Sequence, residues 1–463
     1  MLRGHWINLF DVRFSFEGPW LVGGLSILSD EVKVPFIKDP RGKGMTPVLP
    51  GTSIAGSLRA AAVNILDGGV EAAERLFGHV TPTVESDGKT KKVMVAASVV
   101  EILGAVPLNP KQILYLPRGR TAIESRTGAS KNHMLVTEEI VAPITYRIIM
   151  QVQSESRNDS HVSDLKKVLN SWQPYLGRGR SIGLGRGRVE KVIQISVNLD
   201  SDEGLRWWLF SKQDFFDGVT EEFPDKIDGQ IDHDIWVPER RRRANALAIK
   251  FELKEPVHIG KHSRVSDISP IPIYRQFDRP VIPATSWKGV FRNRVQTIIN
   301  LVGDDALINV TDLMFGSAEM GRGLLRFRDS YFIDSDGNDI GESYVGIREH
   351  VAIDRFSGGA KDSAKFTWEC VLPGCHTELN IDFPEEEVFP ECYNILKHVI
   401  RDINDGIVGI GAGISRGYGR LTLTESYQEH LQPRSIDVKK LRKEIRSFFL
   451  HRLGDNREEC SYR

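Results

Sequence analysis

The sequence predicts an α+β protein built as two tandem domains of ferredoxin-like order, and three observations predict it. The phrase Pro47-Val48-Leu49-Pro50-Gly51-Thr52-Ser53-Ile54-Ala55-Gly56-Ser57-Leu58-Arg59 returns 233 residues later as Pro280-Val281-Ile282-Pro283-Ala284-Thr285-Ser286-Trp287-Lys288-Gly289-Val290-Phe291-Arg292. A period near half the chain length marks duplication of a domain, not a solenoid of short units. Further landmarks repeat in the same order at nearly the same offset. Each copy also runs strand, helix, strands, helix, glycine-rich loop, strand, the order of a ferredoxin-like α+β domain.

Taken along the chain, residues 8–16 and 246–253 alternate apolar and polar and open the two domains as strands. Pro19-Trp20-Leu21-Val22-Gly23 answers Pro256-Val257-His258-Ile259-Gly260 at an offset of 237, and Ser29-Asp30 answers Ser266-Asp267 at the same offset. Helices follow the proline phrases, with Ile54, Leu58, Ala62 and Ile65 in one and Val290, Phe291, Val295 and Ile299 in the other recurring at three and four. The hydroxyls of Thr52, Ser53, Thr285 and Ser286 are expected to cap these helices. Leu76-Phe77-Gly78 answers Met314-Phe315-Gly316. Strands are expected over 93–100, 144–152, 324–327 and 379–383, and second helices over 164–172 and 390–403. Last, Gly177, Gly179, Gly185, Gly187 and Arg188 map onto Gly409, Gly411, Gly417, Gly419 and Arg420 at offset 232. The domains so read are 1–199 and 244–428. Residues 200–243, which have no repeat counterpart and end in four consecutive arginines, are read as an insertion and linker. Residues 429–463 form a basic C-terminal helix and tail.

A chain of 463 residues with 40% hydrophobic content can bury two ordinary cores. The start carries no signal-type apolar stretch, and no run approaches the roughly 20 apolar residues that span a bilayer, so a cytoplasmic location without membrane contact is expected. Four cysteines, Cys370, Cys375, Cys392 and Cys460, fit neither a disulfide framework nor paired zinc knuckles. The net charge of −1 is not that of a uniformly basic nucleic-acid binder. Charge is segregated, however. Arg178, Arg180, Arg186 and Arg188 fall in one glycine-rich segment without acids, while acids gather at 200–203, 221–228 and 385–387. A polyanion would therefore meet a stripe.

Two motifs carry chemistry. A rigid proline turn delivering the chain to a helix start beside Arg59, Lys288 or Arg292 makes a phosphate site, although the same residues also suit a packed helix. Glycines interleaved with arginines let backbone approach a phosphodiester chain while guanidinium forks clamp it. A dinucleotide loop is disfavoured, because that fingerprint follows the first strand of a βαβ unit and these runs close each domain.

The ordered set of the loop Asp, the proline phrase, Leu-Phe-Gly, the Leu-Arg-Phe-Arg-Asp-Ser run at 325–330, the segment Ile353-Asp354-Arg355-Phe356-Ser357-Gly358 and the closing glycine loop resembles the RAMP superfamily. More narrowly it resembles the backbone subunits of type III CRISPR effector complexes, and the tandem arrangement is similar to the fused backbone subunits of subtype III-D. The resemblance covers about 5–190 and 246–425. It implies RNA-recognition-motif-like domains that polymerise along a guide RNA, each with a thumb hairpin, at about 123–143 and 353–373, that wedges into the guide–target duplex. Ile140, Val141, Val371 and Leu372 are the wedge candidates. It further implies a loop aspartate that cuts target RNA with Mg2+ or another divalent cation.

Residue by residue, Asp267 stands in the catalytic loop of the second domain and is the candidate metal ligand. In the first domain the direct position is Lys33, with Asp30 three residues earlier, and the internal repeat pairs Asp30 with Asp267. One carboxylate can hold a hydrated cation beside a ribose 2′-hydroxyl aligned for in-line attack. Candidate RNA contacts are Lys33, Lys38, Thr52, Ser53, Arg59, Arg126, Arg178, Arg180, Arg186, Arg188, Arg275, Thr285, Ser286, Lys288, Arg292, Arg355, Arg416 and Arg420. The expected function is a guide-RNA-binding backbone subunit that cleaves complementary target RNA, its partners being guide RNA, target RNA and other effector subunits. Two alternatives stand beside it: a backbone subunit that cuts nothing, and a guide-processing endoribonuclease of the same superfamily.

Overall fold

The first strand, Trp6–Phe16, is buried along almost its whole length, not on alternate residues, because both faces of its sheet are covered. The computed structural model describes residues 5–23, 38–39, 46–84, 90–109, 113–121, 136–217, 225–239, 246–260, 270–304, 307, 309–317, 319, 321–383, 388–424 and 432–455. The chain is α+β with antiparallel sheets, and it divides into two compact units. The first takes in 1–117, 138–180 and 184–241; the second takes in 118–137, 181–183 and 242–463.

In the first unit Trp6–Phe16 lies at the centre of a five-stranded sheet in the order Ile231–Trp236, Gly187–Asn198, Trp6–Phe16, Thr145–Ser154, Val100–Pro107. Helices α1 (Gly51–Ile65), α2 (Gly69–Phe77) and α3 (Ser160–Ser171) follow from apolar residues at helical spacing. The indole of Trp172, just past α3, packs on Phe14 at 5.5 Å and donates to the Ser57 hydroxyl of α1 at 3.2 Å. The opposite sheet face carries Ile7, Leu9, Ile149, Ile193, Ile195 and Val197, and Phe215 seals it with Trp207 and Trp208.

Those last three residues belong to α4 (Asp202–Phe210) and α5 (Lys212–Asp217). The segment read as insertion and linker is thus an integral layer: its helices cover one sheet face and Ile231–Trp236 adds an edge strand. A buried pair fixes it, since Arg147 bonds Asp11 at 2.8 Å and also donates to the Phe215 and Phe216 carbonyls. Burying that guanidinium is tolerable because it has these several acceptors.

The second unit holds a sheet in the order Arg275–Gln276, Arg279–Ile282, Ser330–Ile333, His376–Asp382, Ala246–Leu253, Leu421–Leu423, with Arg326–Phe327 also paired to His376–Asp382. Helix α6 (Ala284–Val302) buries Trp287, Phe291, Val295 and Ile299. Its rings meet Phe251 at 6.0 Å and Phe327 at 5.3 Å. Beside it stand α7 (Val310–Phe315) and α8 (Pro390–Asn404), the latter tied to α6 by Arg294 and Asp402 at 2.6 Å. The C-terminal helix α9 (Val438–Asp455) buries Leu441 and Ile445. Its Glu444 accepts the N–H groups of Glu391 and Cys392 at 2.7 and 3.0 Å, so it caps the start of α8 with a carboxylate. A separate two-stranded ribbon pairs Val345–Ile353 with Ala360–Val371.

Candidate nucleic-acid interface

Both proline-led helices begin at least two residues earlier than a hydroxyl cap would require. Pro50 and Pro283 occupy the N-cap positions in extended conformation, and neither helix has a side-chain cap. Thr52, Ser53, Thr285 and Ser286 therefore sit inside the first turn, which corrects the expectation that they cap. The fixed φ of proline ends the incoming strand and leaves no cap hydroxyl. In α6 the first N–H, from Ala284, is accepted by Asp329 at 2.7 Å. Asp329 is in turn gripped by both guanidinium arms of Arg118 at 2.7 and 3.0 Å, with both side chains buried. A carboxylate thus already occupies the place where a phosphate was expected to dock.

The cationic centre lies one turn further along. The half-buried Lys288 reaches the Ser181 hydroxyl at 3.1 Å. Burial, followed by the charges of Arg292 and Arg120, pushes its amine down to about 8. Arg292 leans the other way, onto Asp312 at 3.1 Å and the Gly316 carbonyl at 3.0 Å. Burial is the larger cause of the lowering, and the cations Arg292 and Arg120 add to it; together with Lys288 at the positive end of a helix they make a positive potential that an incoming anion would neutralise.

The glycine runs are explained differently from the sequence expectation. Gly185 has φ +74°, and a Cβ there would run into the Leu176 carbonyl oxygen; Gly419, with φ +79°, faces the Ile410 carbonyl in the same way. These glycines let the chain cross its own backbone. The arginines among them are spread. Arg178 is exposed, Arg180 donates to the Gly177 carbonyl at 3.1 Å, Arg186 pairs with Glu17 at 2.7 Å and Arg188 with Glu190 at 3.0 Å. Arg420 is exposed, and Arg416 lies over the rings of Trp368 at 5.2 Å and Phe366 at 5.5 Å. Arg59 of α1 meets Glu74 at 3.5 Å.

The 345–371 ribbon meets the second glycine run through aromatic contacts. His350 stacks on Phe366, and its Nε2 lies 2.9 Å from the Tyr418 hydroxyl. His258 is buried and structural: its ring stacks on Trp368 at 4.4 Å and its Nδ1 lies 2.7 Å from the Glu369 carbonyl. Arg275 is held by both Glu369 oxygens, at 2.6 and 2.8 Å, and this pairing raises the guanidinium and lowers the carboxyl. The wedge candidates need correcting. Ile140, Val141 and Val371 are buried, and Leu372 packs on the cluster of Trp368, Cys370 and Tyr418, so these side chains hold the hairpin bases and do not project. What projects is Phe356, fully exposed in the ribbon's turn beside the exposed Arg355. Asp354 sets that turn by accepting the N–H groups of Phe356 and Ser357 at 2.9 and 2.8 Å.

Asp30, Lys33, Arg126 and Asp267 lie outside the described residues, as does the turn of the first expected thumb; Lys38 is described only as backbone of the strand Lys38–Asp39. Among the described residues no group of three or more His, Cys, Asp or Glu could hold a metal ion. Cys370, Cys375 and Cys392 are buried free thiols, and burial pushes all three upward, away from thiolate chemistry. Among the described residues no helix is long and apolar enough to cross a membrane.

Lys288 and Arg292 are legible in the sequence as site residues, whereas Arg118, Arg120, Ser181 and Asp329 are not. Asp329 lies in the Leu-Arg-Phe-Arg-Asp-Ser run at 325–330, the one sequence signal that points to it. No curated protein matches the chain. The family profile of the RAMP superfamily matches residues 13–190 and again 250–422. With two matches that together span most of its length, one in each half of the internal repeat, the chain belongs to the RAMP superfamily.

Proposed function

We propose that this chain is a backbone subunit of a type III CRISPR effector complex, of the fused kind resembling subtype III-D, which holds guide RNA and cleaves complementary target RNA. The observation that carries the RNA-holding part is the gathering of three cations, Lys288, Arg292 and Arg120, near the start of α6. Phosphodiester oxygens would supply the negative charge that the amine lacks, and sequence would be read by guide pairing, not by side chains. Superfamily membership in both halves supports two ferredoxin-like domains along one guide. The 345–371 ribbon with its exposed Phe356 supports a thumb in the second domain; the ring would stack on a base at a distorted step. Other effector subunits are the expected protein partners, in the cytoplasm.

Cleavage is assigned to Asp267, and in the first domain to Asp30, on the resemblance of their loops. The carboxylate would orient the 2′-hydroxyl for in-line attack, and a bound divalent cation, with Asp267 the candidate ligand, supplies charge neutralisation at the phosphate. The test is cleavage mapping of end-labelled target RNA by the guide-loaded complex with magnesium, comparing the intact chain with Asp267→Ala and Asp30→Ala. Loss of one discrete cut with target binding retained supports the assignment. Persistence of every cut in both variants removes it and leaves an RNA-holding scaffold.

A further inference from the structure

The C-terminal helix α9 lies outside both family-matched regions. Its residues 438–447 hold five basic residues and one acid. Leu441 and Ile445 are buried in the second unit, whereas Lys439, Lys443 and Arg446, spaced by four and three, form an exposed row on the other side of the helix. Lys440 and Arg442 are exposed beside it. At 1.5 Å per residue the row runs about 10 Å.

The nearby acids are engaged elsewhere. Glu444 is turned inward onto the start of α8, Asp437 accepts the Lys440 N–H at 3.1 Å at the start of α9, and Asp304, just past the end of α6, holds Arg442 at 2.5 Å. Among the described residues no ion pair ties Lys439, Lys440, Lys443 or Arg446. The helix is also firmly anchored. Arg434, just before it, donates to Glu391 at 2.8 Å and exchanges two bonds with the Asn394 side chain, at 2.9 and 3.0 Å.

The exposed residues among 438–447 include no apolar and no aromatic side chain. A protein interface centres on apolar residues, and single-stranded nucleic acid is held by stacking on aromatic rings, so neither ligand is matched. Duplex nucleic acid is matched, because it carries one charge per about 1.7 Å of axis and can be bound through its phosphates alone. The row is also remote from Lys288: the stretch of α6 from Lys288 to Val302 spans roughly 20 Å, and Asp304 lies beyond its end.

We propose that the α9 row is a separate site for the phosphodiester backbone of duplex nucleic acid, at the opposite end of α6 from Lys288. It reads charge and not base sequence. Its cations would displace the counterions condensed on about three or four phosphates, so binding weakens steeply with salt.

The test uses the full, nuclease-treated chain and two labelled duplexes of one sequence, RNA and DNA, in fluorescence anisotropy from about 50 to about 200 mM salt. Lys439→Ala with Lys443→Ala and Arg446→Ala, its fold checked by circular dichroism, should weaken binding by at least about tenfold at the lower salt and reduce the salt slope by about 3. Lys439→Arg with Lys443→Arg should bind like the wild type, since charge and not packing is used. In the wild type, either duplex should shield Lys439, Lys440 and Lys443 from acylation, read by mass spectrometry. Tighter binding of one duplex supports the site and names RNA or DNA as its source; equal binding supports a site that reads phosphates alone. A triple variant with the wild-type affinity and salt slope overturns the proposal. So do lysines that stay as reactive with duplex as without it, or equal shielding by polyglutamate at matched charge, which would make the row a face for an acidic protein. These readouts report on α9 whether or not guide RNA is held at Lys288.

Discussion

Replacing Lys288 by Met should stabilise the free protein and weaken its hold on RNA. The amine is lowered from 10.5 to about 8, first by burial and then by Arg292 and Arg120. At 1.36 kcal/mol per unit this corresponds to about 3 kcal/mol against the charged form, an upper bound since water reaches the half-buried side chain. Lost packing and the lost bond to Ser181 offset part of this, so a net gain of about 1–2 kcal/mol at pH 7 is expected. The sign with pH follows from proton counting. Between pH 8 and the ordinary lysine value the unfolded chain binds more protons than the folded one, so wild-type stability rises across that window. The gain from Lys288→Met is complete below about pH 8 and fades above it. RNA affinity runs the other way, falling in the wild type as pH rises through that value and staying flat in the variant. Urea denaturation of RNA-free protein and filter binding of a labelled guide, both from pH 6.5 to 9.5, measure the two curves. A variant destabilised by more than about 1 kcal/mol at pH 7, or one that binds guide as tightly as the wild type, would show that Lys288 is neither a strained cation nor an RNA contact.

Three other outcomes follow from the packing. Arg118→Met leaves Asp329 buried and without its guanidinium partner, and should cost about 3–5 kcal/mol in denaturation of the second unit. Gly419→Ala should prevent the closing loop from forming, whereas Gly417→Ala, with φ +83° but open space around the new Cβ, should cost only about 1 kcal/mol; thermal melts of the pair separate crossing from conformational strain. Glu444→Ala removes two charge-assisted bonds at the start of α8 and should loosen α9 by about 1–2 kcal/mol, read as faster amide exchange over 438–447.

Periodic features were legible in the sequence. The expected 246–253 strand is Ala246–Leu253, and the expected 390–403 helix is Pro390–Asn404, because apolar spacing alone sets such elements. The N-caps misled because proline, not threonine, ends the incoming strand. The glycine runs misled because a glycine needed for backbone crossing is indistinguishable in sequence from one needed beside a ligand. Residues 200–243 lacked a repeat partner, so nothing in the duplication indicated that α4, α5 and the strand Ile231–Trp236 complete the first unit. Arg118 and Asp329, 211 residues apart, meet only through tertiary structure. The cationic setting of Lys288 has the same origin, since Arg120 and Ser181 reach it from distant parts of the chain.

If this RAMP chain is a guide-RNA-binding backbone subunit, it holds the guide through the start of α6. Ultraviolet cross-linking of the complex purified from its host, followed by sequencing of the attached RNA and identification of the attached peptides, tests it most directly. Repeat-derived guide RNA joined to peptides around Lys288 and Arg292 is the expected result. A chain recovered free of RNA, or carrying unrelated transcripts joined elsewhere, would contradict it.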